Sequence, residues 1–129
     1  MIQKIGTIAL LVDDYDKAID YYTTKLGFAL VENTDLGNGN RWVRIAPQEN
    51  AETSIVLSKA KDEQELKMIG RQGAGRVLLF LHTSNFEASH KLFVENGVEI
   101  IQEPVKHPYG EVLVFKDLYG NLWDLICPA

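Results

Sequence analysis

The chain repeats itself. Laid over itself with a shift of 71 residues, Asp14 falls on Asn85, Tyr15 on Phe86 and Tyr22 on Phe93, and a one-residue gap then brings Gly27 onto Gly97. Each half opens with an aliphatic, β-branched run, Lys4–Val12 and Arg76–Thr83, of the kind that packs on a pleated surface. An acceptor residue follows each run. Asp13 and Asp14 in the first half supply an N-cap signal, and Ser84-Asn-Phe-Glu87 in the second has the form of a capping box, which satisfies the free amides of a first helical turn. Ala18, Tyr22 and Leu26, and then Phe86, Leu92 and Phe93, make the apolar stripe of a helix lying on a sheet. Gly27 and Gly97 stop those helices.

Short strands and turn signals complete each half: Gly37-Asn-Gly39 before 41–46 and 53–58, then Pro108-Tyr-Gly110 before 111–115 and Asp117–Asn121 before 122–127. The expected fold class is therefore α+β, with two tandem βαβββ modules. Module one spans 1–60, a polar linker spans 61–75 with a short helix around 63–69, and module two spans 76–129. A half of about 60 residues has a marginal core, so the two are expected to fuse into one domain, 1–129.

Composition narrows the function classes. With 46% hydrophobic and 24% charged residues, the chain is globular rather than disordered. Its formal charge of −5 argues against clamping a phosphate backbone, so no nucleic-acid partner is expected. No apolar run approaches the roughly 18–20 residues of a membrane span, and neither a membrane partner nor a secretory leader is expected. The single cysteine, Cys127, makes no internal disulfide or thiolate cluster, and a reducing cytoplasm is the expected setting. Gly70-Arg-Gln-Gly-Ala-Gly75 is rich in glycine but precedes a strand instead of opening a helix, so it reads as linker and not as a phosphate cradle.

Three segments carry a resemblance: Leu10–Asp14; Ala18, Tyr21-Tyr22 and Leu26-Gly-Phe28; and Asp117-Leu-Tyr-Gly-Asn-Leu-Trp-Asp-Leu125. They resemble the vicinal-oxygen-chelate superfamily, which includes glyoxalase I, bleomycin-resistance proteins and extradiol dioxygenases. The resemblance implies that the two modules form one half-barrel cleft that holds a ligand, and that chains commonly pair as homodimers. It also implies four metal-ligand positions, which fall here on Thr7, Val56, Leu78 and Asp124. Valine and leucine have no donor and a neutral hydroxyl is a poor one, so a single carboxylate remains where a catalytic ion needs about three protein ligands. No metal and no other cofactor is expected.

Alternate residues of a strand share a face, which puts Leu11 with Thr7, Ser54 with Val56, and Arg76, Phe80 and His82 with Leu78 on the expected cleft lining. His82 and Asp124 are the candidate acid–base pair. Arg41 and Arg44 lie on opposite faces of their strand, so at most one guanidinium looks inward to hold an anionic group. Trp42 and Tyr109 are candidates to stack on a ligand ring or cover it, whereas Trp123 should pack in the core. The leading expectation is a metal-free binder of a small organic molecule. The alternatives are a glyoxalase-like lyase or isomerase, or a dioxygenase, using a displaced metal site or the His82–Asp124 pair, and a ligand-free interaction or sensor domain.

Overall fold

The computed structural model describes all residues, Met1–Ala129, and contains two four-stranded mixed sheets and three helices. The elements run β1 (Thr7–Val12), α1 (Tyr15–Thr24), β2 (Ala29–Gly37), β3 (Asn40–Ala46), β4 (Ser54–Lys59), α2 (Glu63–Met68), β5 (Val77–His82), α3 (Phe86–Glu95), β6 (Glu99–His107), β7 (Gly110–Lys116) and β8 (Leu122–Pro128). This is the expected α+β fold, βαβββ twice, with each sheet open and neither closed into a barrel. The chain divides into two compact units, Met1–Ile69 and Gly70–Ala129, so α2 belongs to the first and the glycine-rich stretch to the second. No helix is long and apolar enough to cross a membrane.

The first sheet has the order β1-β4-β3-β2, with β1 and β4 parallel and the other pairs antiparallel. Leu10 and Val12 of β1, Val43 and Ile45 of β3, and Ile55 and Leu57 of β4 are buried on one face. Helix α1 covers that face with Tyr15, Ala18 and Tyr22. The second sheet repeats the order as β5-β8-β7-β6, burying Leu113, Phe115, Trp123 and Leu125 on one face with Phe86 and Phe93 of α3.

The helix ends match across the units. Asp14 accepts from the Lys17 amide at 2.9 Å and Asn85 from the Ala88 amide at 3.1 Å. The capping box expected from Ser84 and Glu87 therefore does not form: the N-cap lies one residue on, at Asn85, and Ala88 at the third helical position has no acceptor to return the bond. The Thr83 hydroxyl accepts the Asn85 amide at 3.1 Å, and Asn85 itself stands extended at the helix entrance (φ −141°, ψ 91°). The one-residue gap of the repeat lies at the other end. Phe28 N–H reaches back to the Tyr22 carbonyl, and Val98 N–H to that of Phe93, one residue nearer.

The β7–β8 turn explains the Asp117–Asn121 motif. Asp117, 5% exposed, accepts from the Tyr119 and Asn121 amides at 3.0 Å each, from Asn121 Nδ2, and from the indole Nε1 of Trp123 at 3.3 Å. The motif thus builds a buried polar knot that orients Trp123 in the core, as its alternation predicts. Gly70 seats the incoming chain on the same turn, because its backbone (φ +77°) passes so close to the Tyr119 carbonyl that a Cβ would collide with it.

Candidate functional site

In both sheets the face away from the helix carries the sequence-predicted residues, and one row across each sheet defines its chemistry. In the first unit strand register aligns Glu32, Arg44, Val56 and Ala9 across β2, β3, β4 and β1. In the second it aligns Gln102, Val114, Asp124 and Phe80 across β6, β7, β8 and β5.

The first row is closed on itself. Arg44 Nε meets Glu32 Oε1 at 2.8 Å, Arg44 Nη1 donates to Ser54 Oγ at 3.1 Å, and Trp42 Nε1 donates to Glu32 Oε1 at 3.0 Å. The Arg44 guanidinium, helped by the indole, holds the Glu32 carboxyl below its ordinary range. Of the residues expected on a lining, Thr7, Leu11, Ser54 and Val56 share this face, with Thr7 opposite Ser54 and Leu11 opposite Ser58. Trp42 is on it too, its ring committed to Glu32.

Arg41 is not on this face. Its guanidinium turns to the helix side, pairs with Asp16 Oδ1 at 3.0 Å and lies 5.1 Å over the Tyr15 ring. That ion pair lowers the Asp16 pKa and raises that of Arg41. Strand parity assigns the open face to Arg44 instead.

The second row borders a cavity of about 540 Å³, lined by Gly75, Arg76, Val77, Phe80, Ile101, Gln102, Val114, Leu122 and Asp124. Phe80 stands 62% exposed and presents an uncovered ring to the cavity. Asp124 is half-buried, and burial alone raises its carboxyl above the ordinary range; no cation contributes. Arg76 makes no ion pair. The lining is thus apolar at its centre, with one carboxylate and one guanidinium held apart, a pattern suited to a small organic ligand.

Two expected lining residues stand elsewhere. A register shift between Val77 and Leu79 inserts an extra residue into β5, so Val77 aligns with Leu122 and joins the lining while Leu78 sits under the loop at Gly73. Tyr109 is at the β6–β7 hairpin tip, stacked on His107 with ring centroids 4.7 Å apart. His82 shares the Phe80 face but pairs with Ile126, one step beyond Asp124, and no hydrogen bond or ion pair joins it to that carboxylate. The expected acid–base pair is therefore not assembled.

The residues at the four positions implied for a metal do not fit one. They contribute a single carboxylate, Leu78 is turned under a loop, and no three His, Cys, Asp or Glu side chains come together anywhere in the chain.

Sequence reasoning missed Glu32, Gln102 and Ile101. Counted from the hairpin ends, a register shift between Gln102 and Val105 sets Gln102 opposite Val114 and one between Asp35 and Gly37 sets Glu32 opposite Arg44, and a further shift between Ile100 and Gln102 leaves Ile101 beside Gln102 at the cavity. Only the shifts after Leu30 and after Ile100 are at equivalent places of the repeat, and no residue pattern marks either one.

Comparison with known proteins agrees with this architecture. The family model for the Glyoxalase/Bleomycin resistance protein/Dioxygenase superfamily matches residues 4–125. An uncharacterized protein of Shewanella frigidimarina is 42% identical over 127 residues, covering 98% of this chain and 94% of that one. The crystal structure of UcmS2 superposes with a TM-score of 0.84 at 30% identity, covering 98% of each chain. That of TnmS3, described as an antibiotic binding protein from Streptomyces sp. CB03234, gives 0.81 at 29% identity over 99% of this chain and 98% of that one.

Proposed function

The chain belongs to the Glyoxalase/Bleomycin resistance protein/Dioxygenase superfamily, and we propose that it is a binder that holds a small organic molecule on the open face of its second sheet and releases it unchanged. The observation that carries this reading is the Gln102–Val114–Asp124–Phe80 row, with an exposed phenyl ring beside a carboxylate that no protein group answers. Covering the Phe80 ring contributes on the order of 1–2 kcal/mol to a complex. A hydroxyl or amine donor on the ligand satisfies Asp124. Similarity to an antibiotic binding protein supports an antibiotic-like ligand, and the exposed Phe80 ring suits an apolar body on it. The reading needs no metal and no general base. It includes a cytoplasmic homodimer, checked by light scattering of the purified protein.

The test is thermal denaturation against a panel of aromatic antibiotics and simple bicyclic arenes. A ligand of the native state raises the melting temperature as its concentration rises, and Phe80→Ala weakens that ligand about tenfold or more. The ligand is recovered chemically intact by mass spectrometry. A panel in which nothing moves the melting temperature overturns the proposal, and a ligand recovered transformed replaces it with an enzyme.

A further inference from the structure

The Gly70–Gly75 stretch does more than connect. Gly75 borders the 540 Å³ cavity and also a second one of about 400 Å³, lined by Gly70, Arg71, Ala74 and Gly75. Arg71 stands at the second cavity and Arg76 at the first, on either side of that glycine, and neither guanidinium makes an ion pair. The backbone there is committed: Ala74 N–H donates to the Arg71 carbonyl and Arg76 N–H to that of Gly73, both at 3.0 Å. Ala74 (φ +54°) and Gly75 (φ +84°) turn through the left-handed region, and the space where a Cβ at Gly75 would stand is open. The loop is thus a fixed, uncluttered saddle between two free cations in a chain whose net charge is −5.

From this arrangement we infer that the ligand of the second sheet carries an anionic arm, a carboxylate or a group of like charge, that lies across Gly75 between Arg71 and Arg76. The inference rests on the proposed binding role of the larger cavity and specifies which molecules that role favours. A guanidinium is suited to the task, since it presents planar paired donors to a carboxylate and is weakly hydrated. The one acidic group of the lining does not oppose it. Arg76 precedes Val77, which pairs with Leu122, and Asp124 lies two residues further along β8, so about 7 Å of strand separates the acid from the arginine end. A ligand reaching both ends offers a donor to Asp124, an apolar body to Phe80 and an acid to the saddle.

Calorimetric titration at low ionic strength with 2-naphthoate and 2-naphthamide isolates the arm, since the two share a body and differ in charge. The wild-type protein is expected to bind the carboxylate about tenfold tighter than the amide. Arg71→Gln and Arg76→Gln each reduce that ratio and the double variant abolishes it, with melting temperatures unchanged because neither side chain holds the fold. Equal affinities in the wild type, or a preference that survives in the double variant, overturn the anionic arm and leave the binding role standing. If neither compound binds at millimolar concentration, the binding role of the cavity fails and the arm fails with it.

Discussion

The two units differ most where they align best. The open-face row of the first reads Glu32–Arg44–Val56–Ala9, and that of the second Gln102–Val114–Asp124–Phe80. In the first unit a charge on β2 meets its opposite on β3, and alanine stands at the edge. In the second, the charge has moved to β8, its neighbour on β7 is valine, and the edge carries an exposed phenyl ring. One backbone plan thus supports a face that satisfies its own charges and a face that leaves them for something else. A paired face gains little from a ligand, whereas an unpaired carboxylate and an uncovered ring both gain when a ligand arrives.

Substitutions that break this contrast should have effects of graded size. The largest concerns the knot found only in the second unit. Asp117→Ala leaves Trp123 Nε1 and Asn121 Nδ2 without the acceptor they share, and should cost about 2–4 kcal/mol in urea denaturation. A loss near zero would mean the motif does not organise the core.

Val114→Arg copies the first row into the second, setting a guanidinium across from Asp124. It should pair with that carboxylate, fill the cavity and weaken 2-naphthamide about tenfold or more in calorimetry, with the fold retained. Undiminished affinity would place the ligand elsewhere.

Glu32→Gln opens the first row without touching the second. Ligand affinity should not change. Since the native carboxyl titrates below its ordinary value of 4.5, its contribution to stability is present above that pH and is lost as pH falls through the lower native value. The melting-temperature gap between wild type and variant should accordingly appear at pH 7 and close on acidification.

Asp124→Asn gives the smallest effect, with the opposite sign. Burial raises this carboxyl above its ordinary value of 3.8, so the native state is penalised for carrying the charge at neutral pH and relieved as pH falls toward 3.8. The free variant should melt slightly higher than wild type at pH 7 and equally at pH 3.5. A variant that melts lower at pH 7 would mean the carboxylate is answered within the protein.

How far the site could be read in advance depended on strand register. Counting back from the hairpin pair His107–Gly110 sets Gln102 opposite Phe115 on the buried face, yet it pairs with Val114. The same count in the first unit sets Glu32 opposite Ile45, yet it pairs with Arg44. A single extra residue moves every later side chain to the other face, and nothing in a local run of apolar and polar residues marks where it enters. The same cause removed Leu78 from the lining and brought in Val77. Arg41 needed no such correction beyond parity, because Arg41 and Arg44 must point opposite ways, but its tie to Asp16 fixes which way.

The amino-acid sequence alone determined the two βαβββ modules, the cap at Asp14, the helix stops at Gly27 and Gly97, and the poverty of donors at the expected metal positions. These follow from short-range periodicity, capping chemistry and residue identity, all legible along the chain. Only the tertiary structure decided that Glu32 answers Arg44, that Asp124 is answered by nothing, and that Arg71 and Arg76 flank one open glycine. Those facts depend on which residues meet across strands and loops, where a bulge or a left-handed backbone turn outweighs any local pattern.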